Sequence, residues 1–99
     1  MAKIYSTVDA EGNSFHYFFC PGCKHPHAFD KRWLFNQDIE CPTFSAHPGS
    51  TASLMCNGGL PDQCHLFLVK GKIQFQTDCY HELKGQTVEC PEFHWGNRE

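Results

Sequence analysis

Residues 64–79 read CHLFLVKGKIQFQTDC, and this stretch decides the fold. Two runs of alternating residues flank Lys70-Gly71, and a two-residue connection of this kind joins the strands of a β-hairpin. Gly71 supplies the positive φ that such a turn demands. The stretch therefore predicts one strand over Cys64–Val69 and a second over Lys72–Cys79, with Val69 opposite Lys72.

This register fixes which side chains share a face, because side chains alternate between the two faces of a strand. One face is apolar and contains Cys64, Leu66, Leu68, Ile73, Phe75, Thr77 and Cys79. Cys64 and Cys79 are diagonal neighbours on it, about 7–8 Å apart or less at Cβ. A metal ion can bridge that distance. A slip of one residue would bring His65 to this face in place of Cys64.

Further strand patterns lie on both sides of this hairpin. Ile4–Val8 and Phe15–Phe19 alternate around a turn region and predict a second hairpin. Short strands are also expected over Thr51–Met55 and Gln86–Cys90.

The segments between these strands are expected to have little regular structure. Tyr80–Lys84 predicts one helical turn ended by Gly85. Prolines and glycines between positions 26 and 61 predict an irregular middle. Trp33-Leu34-Phe35 is expected in the core.

The seven cysteines among 99 residues indicate a metal site. Their number is odd and the first residues lack a secretion signal, which argues against disulfides. Cys20-Pro21-Gly22-Cys23 has the spacing of a zinc knuckle, in which both sulfurs reach one ion at about 2.3 Å. A thioredoxin-type site shares this spacing but needs a following helix, and Lys24-His25-Pro26-His27 is a poor helix sequence. We therefore expect Zn²⁺ rather than redox chemistry.

A structural zinc site needs four ligands, and the chain has no second C-x-x-C. The first-choice set joins the knuckle to the apolar hairpin face: Cys20, Cys23, Cys64 and Cys79. Three histidines could substitute: His81, two residues after Cys79; His27, separated from Cys23 by three residues; and His65, if the register slips. Cys41, Cys56 and Cys90 are expected to be spare or buried thiols.

The opposite face of the hairpin is polar and places His65 near Asp78. A carboxylate can orient an imidazole for acid–base or metal chemistry, so His65, Asp78 and His81 are the candidate catalytic residues. The alternative is a half-exposed polar sheet face without chemistry.

Charge and hydropathy narrow the classes of partner. The formal net charge is −3 and no basic cluster occurs, which argues against nucleic-acid binding. No apolar run approaches the roughly 20 residues of a membrane span.

We expect a cytoplasmic protein that forms one domain over residues 1–99, with 91–99 as a tail.

Several motifs together carry a family resemblance. They are Phe19-Cys20-Pro21-Gly22-Cys23, Trp33 with Phe35-Asn36 and Asp38, Pro42-Thr43-Phe44-Ser45, and a C-terminal block of Cys64-His65, Phe67, Gly71, Ile73, Phe75, Asp78-Cys79, His81, Leu83, Gly85 and Thr87-Val88. The chain resembles an uncharacterised family of small proteins from bacteriophages and bacteria, often automatically labelled "ammonia monooxygenase". The family usually has Gly where this chain has Gln37.

The resemblance implies a metal-binding protein, typically encoded by a phage or mobile element. It points toward defence or counter-defence but implies no established activity. The monooxygenase label has no support here, because that chemistry needs a redox-metal or membrane apparatus that the sequence does not show.

The sequence therefore predicts a mainly β, zinc-stabilised small domain built from hairpins, with a C-x-x-C knuckle and little helix. The expected function is an interaction protein that binds a host or cognate protein. The alternative is a small zinc-dependent or acid–base hydrolase using His65, Asp78 and His81.

Overall fold

The computed structural model describes residues 2–47, 50–51 and 53–93. Ten short strands occur in these ranges: β1 (Tyr5–Val8), β2 (Ser14–Cys20), β3 (His25–Phe29), β4 (Leu34–Phe35), β5 (Phe44–His47), β6 (Ser50–Thr51), β7 (Leu54–Cys56), β8 (Cys64–Val69), β9 (Lys72–Phe75) and β10 (Thr87–Glu89). They form three antiparallel sheets, ordered β1-β2-β3, β4-β5-β6 and β10-β9-β8-β7. The predicted mainly β fold is confirmed, and the described ranges contain no helix that could span a membrane.

The hairpin of β8 and β9 has the predicted register. Val69 lies opposite Lys72 and Leu66 lies opposite Phe75. Lys70 and Gly71 have φ values of 52° and 78°, and two successive positive values match a type I′ turn. The face predicted to be apolar is buried along both strands.

Strand β9 ends at Phe75, four residues before the predicted end at Cys79. The chain turns here, and the amide of Cys79 donates a hydrogen bond of 3.2 Å to the carbonyl of Gln76. Thr77 is consequently exposed and does not lie opposite Cys64. The same turn brings Cys79 back to the buried side of the sheet.

The first sheet confirms the predicted hairpin of β1 and β2. In its turn, the Asp9 carboxylate accepts hydrogen bonds of 2.9 Å from the amides of Glu11 and Asn13. The prediction of an irregular middle segment is wrong at its start, because His25–Phe29 forms β3 and extends this sheet. Pro26 is compatible with β3 because an edge strand has a ladder partner on one side only.

The β4-β5-β6 sheet also lies in the segment expected to be irregular. Phe44 of β5 is fully buried, with its ring 3.9 Å from Phe29 and 4.7 Å from Phe35 between centroids. These aromatic contacts join the first and second sheets. Leu34 was expected in the core but is 46% exposed, since Phe35 rather than Leu34 packs against this aromatic stack.

The predicted strand Thr51–Met55 is wrong as a single element. Its residues divide between β6, which pairs with β5, and β7, which pairs with β8. The interruption separates the second and third sheets, so that β7 becomes an edge of the sheet that contains the central hairpin.

The segment after Cys79 forms turns instead of the predicted helical turn. The amides of Lys84 and Gln86 donate to carbonyls three residues earlier, at 3.1 and 3.0 Å. Gly85 has a φ of 76°, so it ends this segment as expected. The predicted strand Gln86–Cys90 is shorter, as Thr87–Glu89.

The predicted tail begins with residues that contact the chain's first segment. The amide of Phe93 donates a 3.1 Å hydrogen bond to the carbonyl of Ala2, and its ring stacks on Tyr5 with centroids 5.7 Å apart. Residues 94–99 of that tail lie outside the described residues.

Candidate metal centre

The C-x-x-C knuckle is the connection between β2 and β3. Cys20 ends β2, and the amide of Lys24 donates a 2.7 Å hydrogen bond back to its carbonyl. Lys24 has a φ of 66°, which reverses the chain tightly. The amide of Cys23 lies 3.4 Å from the sulfur of Cys20. The turn therefore holds both knuckle sulfurs at one end of the sheet.

Strand β3 adds His27 to the knuckle. His27 lies opposite Phe18 in the β2–β3 ladder. Phe18 and Cys20 are two residues apart on β2 and share a face, and directly opposed residues also share a face. The strand pairing therefore places the imidazole of His27 on the same side as the sulfur of Cys20.

Strand β8 supplies a third sulfur from a different sheet. Ligand atoms of Cys20, Cys23, His27 and Cys64 all lie within 4.8 Å of one another. A tetrahedral ion with bonds of about 2.0–2.3 Å places its ligand atoms about 3.3–3.8 Å apart. The donor atoms are therefore close enough together to surround one ion, and these residues could hold a metal ion.

His27 has an unsatisfied nitrogen in this group. The residue is only 8% exposed, and its Nε2 makes no hydrogen bond within the described part of the chain. A buried polar atom without a partner costs about 1–3 kcal/mol. Coordination of a metal ion would satisfy this atom, so the donor set fits a metal.

The residues of this group shift one another's pKa values in different directions. Burial lowers the pKa of His27, but the sulfurs of Cys20 and Cys56 outweigh that effect and raise it to about 10. Hydrogen bonding from Cys64 lowers the pKa of Cys20, against the opposing effect of burial. The pKa of Cys64 is raised mainly by its hydrogen bond with Cys20 and secondly by burial. The pKa of Cys23 is raised mainly by burial. A metal ion would displace the remaining protons, so its affinity should rise with pH.

A second group of donors shares Cys64 with the first. The sulfur of Cys79 lies 3.6 Å from the sulfur of Cys64 and 3.3 Å from Nε2 of His81. Nε2 of His81 also lies 3.5 Å from the sulfur of Cys64. All three residues are buried and could together hold an ion.

The structure therefore distributes the predicted ligands over two groups. Cys20, Cys23 and Cys64 of the first-choice set come together with His27, one of the substitutes. Cys79 lies instead with Cys64 and His81. His65 joins neither group, because the register leaves it on the other face of β8 from Cys64.

The polar hairpin face has the predicted His65–Asp78 contact. Nδ1 of His65 lies 3.1 Å from the Asp78 carboxylate, and Gln63 donates a 3.0 Å hydrogen bond to the same carboxylate. The side chains of His65 and Asp78 are 23% and 51% exposed. This pair is accessible, but it does not converge with His81, which is buried with the sulfurs.

The cysteines expected to be spare have different environments. Cys56 lies on β7 directly opposite Cys64 and close to His27, although the sequence placed it in an irregular region. Burial raises the pKa of Cys90 to about 12, which is typical of an inert thiol. Cys41 is exposed. The three-residue strand β7 gives too short an alternation to have revealed the position of Cys56.

No protein-family model, curated protein or solved structure matched this chain when it was compared with them. The resemblance to the phage and bacterial family therefore stays a prediction.

Proposed function

We propose that this domain binds one Zn²⁺ ion through Cys20, Cys23, His27 and Cys64. The observation that carries the proposal is the buried, unpartnered Nε2 of His27 beside three cysteine sulfurs. Thiolate and imidazole ligands in a four-membered set are the usual donors of tetrahedral zinc.

The ion would be structural. Four protein ligands fill the tetrahedral shell, which leaves no open position for a substrate. Three ligands come from the β1-β2-β3 sheet and its knuckle, whereas Cys64 comes from the sheet of the central hairpin. The ion would therefore tie two sheets together in a small domain.

If four protein ligands fill the coordination shell of the ion, the function of the domain depends on its surface and not on the ion. We propose that the zinc-stabilised domain is an interaction protein that binds a host or cognate protein in the cytoplasm. The reduced state that zinc thiolates require and the resemblance to phage-encoded proteins support this proposal. Interaction with a partner should be lost when zinc is removed, which a binding assay before and after chelation would measure.

The zinc site is tested by a matched pair of histidine variants. His27→Ala should lose zinc on passage over a chelating resin, because it removes one of four ligands. His65→Ala should retain about one zinc per chain, because its side chain is on the opposite face. Elemental analysis measures both, and zinc retained by His27→Ala but lost by His65→Ala would contradict the ligand set.

The second candidate function is an acid–base hydrolase centred on His65. The 3.1 Å contact with Asp78 favours it, since a carboxylate partner orients an imidazole for proton transfer. It requires a turnover that His65→Ala abolishes while the variant keeps its fold and zinc. The burial of His81 among sulfurs means that this site would consist of His65 and Asp78 alone.

A further inference from the structure

We infer that His81 is a hydrogen-bond donor to the cysteine sulfurs and not a metal ligand, with its proton on Nε2. This inference rests on the proposed zinc site and adds a positioning residue to it. It also decides the role of the second donor group, which would otherwise be a candidate for a second ion.

The position of the proton follows from a backbone amide. The amide of Leu83 donates a 3.2 Å hydrogen bond to Nδ1 of His81. A backbone amide can only donate, so Nδ1 must accept and therefore has no proton. A neutral imidazole with an unprotonated Nδ1 has its proton on Nε2.

Nε2 points toward two sulfurs. It lies 3.3 Å from the sulfur of Cys79 and 3.5 Å from that of Cys64, both within the range of N–H···S hydrogen bonds. The proton on Nε2 is therefore directed at a pair of sulfurs, one of which belongs to the proposed zinc ligand Cys64.

A metal ion at Nε2 would conflict with this arrangement. Coordination needs the lone pair of Nε2, and a neutral ring would then have its proton on Nδ1. That proton would face the proton of the Leu83 amide, which would lose its acceptor. Cys79 and His81 therefore form a hydrogen-bonded layer behind the proposed zinc ligand Cys64.

The ring is held tightly in this orientation. A Cβ atom at Gly22 would lie 2.2 Å from the imidazole, so the knuckle turn packs directly on the ring. The ring of Phe75 meets it edge-on, with centroids 4.6 Å apart. Rotation of the imidazole by 180° would place a C–H group against the Leu83 amide and remove the contact of Nε2 with the sulfurs.

Such a donor orients its thiolate and withdraws charge from it. Loss of a partner behind a metal ligand typically costs about 10–100-fold in metal affinity. A removed ligand has a larger effect because the coordination shell is left incomplete.

Two substitutions of His81 separate a donor from a ligand. His81→Gln keeps an N–H donor near the position of Nε2 but is a poor zinc ligand. His81→Cys offers a zinc ligand but no N–H group. Zinc affinity is measured by competition with a chromophoric chelator, with Gln74→Ala, an exposed position on β9, as the control variant.

The inference predicts that His81→Gln binds zinc within a few-fold of the unsubstituted protein, whereas His81→Cys loses about 10–100-fold. In zinc-loaded protein, long-range ¹H–¹⁵N spectra should show a protonated Nε2 and an unprotonated Nδ1. The reverse order of the two variants, an unprotonated Nε2, or two zinc ions per chain would overturn the inference. Unsubstituted protein without zinc would instead refute the proposed site, so the two failures are distinguishable.

Discussion

The contact between Gly22 and His81 gives a sharp test of how the knuckle is built. An alanine Cβ at position 22 would lie 2.2 Å from the ring, and His81 is only 8% exposed. Overpacking of a buried site typically costs about 1–3 kcal/mol. For a domain of this size, about 1 kcal/mol lowers Tm by about 4–8 °C. We therefore expect Gly22→Ala to have a Tm at least about 4 °C below that of a glycine-to-alanine variant without this clash, and to weaken zinc binding about 10–100-fold through displacement of the ring.

Gly58→Ala is the matched control. Neither glycine has a positive φ, so alanine fits both backbones without strain. Each substitution also lowers the conformational entropy of the unfolded chain by a similar amount, which typically stabilises the folded protein by about 0.4–1 kcal/mol. At Gly58 the new Cβ would lie 3.0 Å from the side chain of Met55, which is 44% exposed and can move aside. Thermal denaturation and chelator competition measure both variants. If Gly22→Ala matches Gly58→Ala in Tm and zinc affinity, the knuckle does not pack on the imidazole and the reasoning is wrong.

Removal of zinc by a strong chelator should melt or loosen the domain, because structural zinc contributes on the order of 10 kcal/mol, comparable with a domain's whole stability; an unchanged melting curve after confirmed metal loss would oppose this. Cys20→Ser should abolish zinc binding in elemental analysis, whereas Cys56→Ser should keep about one ion per chain. His65→Ala should cost under about 1 kcal/mol in urea denaturation, as expected for a partly exposed residue. Hydrogen bonds from Lys3 and then Lys72 lower the pKa of Glu89 from 4.5 to about 2. The contribution of the Glu89 carboxylate to the free energy of unfolding is thus present above pH 4.5 and is lost as pH falls through about 2. The difference in free energy of unfolding between the unsubstituted protein and Glu89→Gln should shrink over that window.

The central hairpin could be predicted from sequence because its determinants are local. Alternation fixed the buried face, and Lys70-Gly71 fixed the turn and hence the register. Cys64 was placed on the buried face for that reason. The C-x-x-C spacing likewise brings Cys20 and Cys23 together through one tight turn.

The strands of the middle segment were missed because their determinants are distant. Residues 25–29 become a strand by pairing with β2, and Pro26 is tolerated because β3 is the edge strand of that sheet. Phe44 is buried in the core and lies in a strand because its ring stacks on the rings of Phe29 and Phe35. Short strands of this kind depend on cross-strand packing more than on local preference.

The sequence by itself thus determined a β-rich chain with a cysteine knuckle and a third cysteine on the buried hairpin face. Only the tertiary structure decided the fourth member of the group. The early end of β9 turned Cys79 toward His81, and the pairing of β3 with β2 brought His27 to the knuckle. The physical reason is that a metal site is defined by atoms a few ångströms apart, whereas local periodicity fixes only the face on which each side chain lies.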